Sequence, residues 1–191
     1  IRYKKLKILE IGVYKGASLF MWQKYFPNSH IYGIDNGKIC DNAAMNSINA
    51  CEPRITTYRA DQVSREDLAE FIKDCGGDFD IIIDDGYHFQ EHQQVSLGFL
   101  YPYLKDGGIY IVEDIVLPSK KFEDDSWGIK DCDHFSDTTF NIITSFMADG
   151  YIESPYMTKE EAKYITENTA KDTFGPVSYT HLRAHETGRN L

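Results

Sequence analysis

FDIIIDDGYHFQEHQQ, residues 79–94, starts as a strand and ends in chemistry. A short apolar run bounded by a glycine turn reads as a strand buried on both faces, the kind that builds parallel sheets. Asp84 and Asp85 at its end are costly to place there unless something needs them, so they are candidates for a site. Working outward, KILEIGV (7–13), HIYGID (30–35), ITTYRAD (55–61) and IYIVED (109–114) give four more strands. Helical patterns separate them. ASLFMWQKYF spaces Leu19, Trp22 and Phe26 along one stripe before Pro27, and Ser64 with Asp67 starts a helix that runs to Gly76 and Gly77. A further amphipathic helix precedes the fifth strand and is expected to close at Gly107 and Gly108. Beyond residue 115 the pattern loosens into a polar loop, with helices expected near 136–148 and 158–170.

This alternation predicts an α/β fold, a Rossmann-like, mostly parallel sheet with helices on both faces and ligands at the carboxyl ends of its strands. Glu10, Asp35, Asp61, Asp84, Asp85, Glu113 and Asp114 all fall at or near those ends, so five segments are expected to deliver carboxylates to one rim.

The chain has 191 residues, 42% hydrophobic and 26% charged, which suits one globular domain. A net charge of -10 leaves no basic stripe with which to displace counterions from a nucleic acid. No apolar run approaches the roughly 20 residues of a membrane span, so neither nucleic acid nor membrane is an expected partner and a cytoplasmic location is expected. Cys40, Cys51, Cys75 and Cys132 form no C-x-x-C pair and read as reduced thiols.

Gly12 and Gly16 lie at a strand-to-helix turn, where missing side chains let a ligand approach the backbone and the helix N-terminus. A tight turn with no ligand explains them as well. Asp35, about 20 residues further on, holds the position from which an acid can reach ribose hydroxyls, and Asp61 stands where it can reach an adenine or simply begin a loop. His88-Phe-Gln-Glu91-His92 also fits H-x-x-E-H, an inverted zinc-peptidase motif. It starts directly after a strand-end turn in a parallel α/β chain, which disfavours that reading.

LEIGVYKGASLFMW, YGID, ADQ, FDIIIDDGYHFQEHQ and YPYLKDGGIYIVED together resemble the class I S-adenosylmethionine-dependent methyltransferases. More narrowly, they look like the metal-dependent sugar O-methyltransferases of antibiotic glycoside pathways, of the mycinamicin and tetracenomycin rhamnosyl type. The likeness covers about residues 5–115. It implies Mg²⁺ bound by Asp85, Glu113 and Asp114, His88 as catalytic base, and S-adenosylmethionine held by Glu10, Gly12, Gly16, Asp35, Asp61 and Asp84. Asp84 orients the cofactor or the loop in that scheme. Three carboxylates at two neighbouring strand ends do suit a hard, all-oxygen Mg²⁺ site. The implied acceptor is a small-molecule sugar or glycoside with a second oxygen beside the reacting hydroxyl. A catechol-type acceptor, served by a lysine base, and a non-catalytic cofactor-binding module are the alternatives.

Two features depart from the family's pattern. Tyr87 stands where a small residue is usual, and IVLPSKKFEDDSW (115–127) lacks an aromatic-rich continuation. Both ends also look foreign to a complete domain. The chain starts at Ile1 and enters a strand within a few residues, so a natural segment carrying a lid or a homo-oligomer contact is expected ahead of it. VSYTHLRAHET (177–187) is one reading frame of a common transposase-library sequencing adaptor. Residues 1–175 are therefore read as an incomplete methyltransferase domain and 176–191 as translated adaptor. The domain is expected to stop before the terminal β-hairpin, leaving the fifth strand as an exposed edge.

Overall fold

Isoleucine-rich strands set the architecture. The computed structural model describes residues 1–38, 40, 42–115 and 135–169, with the backbone of 180–183. Strands β1 (Lys7–Ile11), β2 (His30–Asp35), β3 (Ile55–Arg59), β4 (Phe79–Asp84) and β5 (Leu104–Val112) pair in parallel, in the order β3-β2-β1-β4-β5. The β1–β4 register sets Glu10 beside Ile83 and Ile11 beside Asp84. The order reverses at β1, the switch point where open α/β sheets bind ligands.

Alternate side chains leave each strand on opposite faces, and each face has its own core. On one side, Ile8 of β1 and Ile81 and Ile83 of β4 meet Leu19 and Phe26 around helix α1 (Ala17–Tyr25) and Met45 and Ile48 of α2 (Asn42–Cys51). On the other, Leu9, Ile11, Ile82 and Tyr110 pack on α3 (Arg65–Cys75), α4 (Gln90–Leu100), α5 (Thr139–Asp149) and α6 (Lys159–Asn168) through Leu68, Leu97, Phe146 and Ile165. Ser64 caps α3 by accepting from the Asp67 amide, as its spacing predicts. Arg65 joins the start of α3 to α6 through two hydrogen bonds of 2.8 Å to the Glu161 carboxylate.

Three expectations need correction. α4 ends at Leu100 and passes into a single 3₁₀ turn, Tyr101–Tyr103. Gly107 and Gly108 instead lie inside β5, where Gly107 takes φ 76 beside a register shift against Phe79 and Ile81. A glycine at an irregular ladder position is a bulge device rather than a helix stop. Secondly, β5 is not a bare edge: β6 (Thr180–Arg183) pairs with it antiparallel, from Val112 opposite Thr180 to Ile109 opposite Arg183. An open ladder satisfies its N–H and C=O groups with whatever extended chain reaches it. Thirdly, Glu10 is not on the rim. It sits one residue inside β1 and points at α1. Most of the segment 115–127 lies outside the described residues. No helix among the described residues is long and apolar enough to cross a membrane.

Candidate active site

At the carboxyl ends of β1, β2, β3 and β4 the loops enclose a cleft of about 160 Å³ lined by Gly12, Tyr14, Asp35, Asp61, Gln62, Asp85 and Tyr87 among others. Gly12 takes φ 95, and a Cβ there would lie 2.8 Å from the Asp85 carbonyl carbon, nearer still to its oxygen. Only glycine lets β1 and the β4–α4 loop meet this closely. Asp35 shapes the opposite wall: Oδ2 accepts from the Val13 and Tyr14 amides at 3.1 Å, and Oδ1 from the Gly37 amide at 2.8 Å. A carboxylate offers about four lone-pair sites, so one acceptor position remains for a ligand hydroxyl. Asp61 accepts from the Val63 amide at 3.3 Å.

Three expected cofactor residues do not line this cleft. Gly16 stands behind it, in left-handed conformation at the N-terminus of α1. Asp84 is 1% exposed and faces α4, accepting from the Ser96 hydroxyl, the Gln62 amide at 3.1 Å and the Gly86 N–H at 3.3 Å. Burial pushes its carboxyl up to about 7. Glu10, also 1% exposed, accepts from the Ser18 hydroxyl and from Trp22 Nε1 at 2.5 Å, so it fixes α1 from beneath.

Burial likewise pushes Glu10 from 4.5 up to about 7, against the lowering effect of those two hydrogen bonds, with Asp85 and Glu113 adding repulsion. A carboxyl raised in the folded state binds more protons folded than unfolded, so its contribution falls as pH rises from 4.5 to about 7. Glu10→Gln should flatten that decline. In urea unfolding at pH 4.5 and 7.5, the wild type is expected to lose up to about 3 kcal/mol more than the variant. Equal losses would place the titration elsewhere.

Beside the cleft, Asp85, His88 and Asp114 each present a ligand atom within 4.8 Å of the other two. His88 Nε2 is 3.6 Å from Asp114 Oδ2, and its Nδ1 is buried with no hydrogen-bond partner among the described residues. Asp114 has φ 49, a left-handed backbone one residue after the acid that follows β5. Asp85 is pushed up by burial and by Asp114, while His88 lowers it. Glu113 stands outside the three-residue set but feels it, being raised by burial and by the charges of Asp85 and Asp114. Two convergent carboxylates that repel one another, with a third close by, fit a hard divalent cation. His92 lies outside the three-residue set found among the described residues. His88 precedes α4, whose N-cap is Phe89, so the two histidines do not stand one turn apart on a helix, and the His92 ring packs against Tyr87 and Phe89. The H-x-x-E-H zinc reading loses its geometry.

Gln62, Tyr14 and Lys38 line the cleft without having been singled out in the sequence. The ADQ stretch marks Gln62 as part of a motif, but only the fold shows that its side chain turns inward.

A family profile described as a methyltransferase domain matches residues 9–115. The chain is 38% identical over 121 residues to mycinamicin VI 2''-O-methyltransferase of Micromonospora griseorubida, a match covering 60% of this chain and 28% of that protein. It is 36% identical over 124 residues to L-olivosyl-oleandolide 3-O-methyltransferase of Streptomyces antibioticus, covering 60% and 29%. The chain thus spans less than a third of the curated relatives it matches. Among solved structures, MycE methyltransferase from the mycinamycin biosynthetic pathway, in complex with Mg, SAH and mycinamycin VI, superposes with a TM-score of 0.70 at 28% identity. That match covers 100% of this chain and 48% of MycE. With the profile spanning more than half the residues and the Rossmann-like sheet matched by a solved methyltransferase, the chain belongs to the methyltransferase-domain family.

Proposed function

We propose that this chain carries the reaction centre of an S-adenosylmethionine- and Mg²⁺-dependent O-methyltransferase acting in the cytoplasm on a sugar or glycoside hydroxyl with a neighbouring oxygen. One observation carries the reading: Asp85 both lines the cleft and belongs to the carboxylate–imidazole cluster, so methyl donor and acceptor meet at one residue. The relatives' names, all sugar or glycoside O-methyltransferases of macrolide and tetracenomycin type, support the acceptor class.

In this scheme Gly12 would give the cofactor its approach to the backbone, Asp35 would accept from a ribose hydroxyl and Asp61 would serve the adenine. Gly16 sets the helix N-terminus behind them, and Glu10 and Asp84 act from beneath by fixing α1 and the β4–α4 loop. Asp85 and Asp114 would hold Mg²⁺ with Glu113 beside them. When bound, the ion supplies Lewis acidity that lowers the pKa of an acceptor hydroxyl. His88 would take the proton of an acceptor hydroxyl, and the bound cofactor would supply the methyl group from its sulfonium, the sulfur keeping the electron pair of the broken bond. The sulfonium needs no further activation, so alignment supplies the rest.

Calorimetric titration of S-adenosylmethionine into the folded chain, beside Asp35→Ala, tests the cofactor assignment. Saturable heat that is lost in the variant is expected. No heat from a wild-type chain that circular dichroism shows to be folded would overturn the reading.

A further inference from the structure

Gln62 is 6% exposed at the floor of the cleft, and its amide is used at both ends. Oε1 accepts from the Tyr87 N–H at 2.5 Å, and Nε2 donates to Asp84 Oδ1 at 3.1 Å. Asp84 in turn holds the Gly86 N–H and the Ser96 hydroxyl of α4. Gly86 packs so closely on Gln62 that a Cβ at 86 would lie 2.9 Å from its Cδ. The remaining loop amide, Asp85 N, is bound to the Ile11 carbonyl at 3.0 Å. One side chain from the loop after β3 therefore fixes two of the three residues between Asp84 and His88, although that segment belongs to no helix or strand.

We propose that Gln62 is a positioning residue that joins the cofactor cleft to the β4–α4 loop and so sets the placement of Asp85 and His88. It touches no reacting atom. Its amide suits the task because one end accepts from a main-chain N–H while the other donates to a buried carboxylate, a pairing that neither Glu nor Met reproduces. Packing alone would need only the volume; the hydrogen bonds give the loop a single register. The metal part of the argument rests on the function proposed above, and the loop part does not.

Hydrogen exchange separates the two. In the wild-type chain, the Tyr87 amide should exchange much more slowly than an open loop amide, although Tyr87 is 48% exposed. Gln62→Met keeps the side-chain length and is expected to speed that exchange at least about tenfold, the loss of one buried hydrogen bond. Mn²⁺ affinity, measured by calorimetry with the metal alone, should fall in parallel. Gln62→Glu keeps the acceptor for Tyr87 and should retain the protection. An unprotected Tyr87 amide in the wild type overturns the proposal without reference to any variant, as does unchanged exchange in a folded Gln62→Met chain. If the wild type binds no Mn²⁺, the metal reading falls, and exchange at Tyr87 alone decides the role of Gln62.

Discussion

Asp85→Asn is expected to stabilise the metal-free chain while disabling it. The substitution keeps the shape of the side chain and removes a charge that burial and Asp114 together disfavour more than His88 favours it, so the melting temperature should rise. Mn²⁺ affinity and methyl transfer should both fall at least about 100-fold, because even residues that only support a metal ligand cost 10 to 100-fold when lost. Opposite signs for stability and function mark a site that holds like charges together for a purpose. His88→Ala gives the companion measurement. As a proton acceptor, His88 should be dispensable for Mn²⁺ binding, with methyl transfer reduced by about 10²–10⁴-fold. Equal losses of Mn²⁺ affinity in both variants would instead make the imidazole a ligand, which its place within the 4.8 Å set permits. A catechol-type acceptor with another base predicts that transfer survives His88→Ala.

Gly12→Ala should be among the most damaging single methyl groups at the described glycines. The new Cβ would overlap the Asp85 carbonyl oxygen and come within 2.8 Å of Gly86 Cα, both main-chain atoms, at a φ of 95. Overpacking against backbone and an unfavourable dihedral together cost about 2–4 kcal/mol. S-adenosylmethionine binding should disappear with it, since relief requires β1 and the β4–α4 loop to part at the cleft. Gly37→Ala is the control. Its φ is also positive, at 78, but the nearest atom is Arg59 Nε at 3.3 Å, on a side chain that can yield. About 1 kcal/mol is expected there. Urea unfolding of both variants checks the contrast, and a Gly12→Ala chain as stable as Gly37→Ala would show that the loop has slack.

The five parallel strands were legible because period and punctuation agree: Ile-rich runs, each followed by a turn residue and a helical stripe. Asp35 and the 79–94 stretch were legible for the same reason, since a strand end fixes where its last residue points. Glu10 was not. Its distance from the strand end differs from that of Asp35 by a single residue, which in a strand reverses the face, and α1 captured it through Ser18 and Trp22. Gly107 and Gly108 misled because a glycine pair after a helix pattern reads the same whether it stops the helix or bends the following strand. Gln62 was hidden for a different reason: a polar residue in a loop is ordinarily solvated, and only the approach of β4 makes this one internal. The strand on the outer edge of β5 belongs to residues read as adaptor-derived, a pairing that backbone hydrogen bonding alone can make.

The left-handed backbone at Asp114 narrows what mutation can try there. Asparagine tolerates the conformation but brings no charge, and glutamate brings the charge on a residue that rarely adopts a positive φ. Glycine satisfies the backbone and nothing else. Conformation and chemistry each admit several amino acids, but aspartate alone satisfies both. A change that keeps the charge at this position therefore has no single-residue neighbour that also suits the turn, whereas losing the charge through asparagine or glycine asks nothing of the backbone after β5.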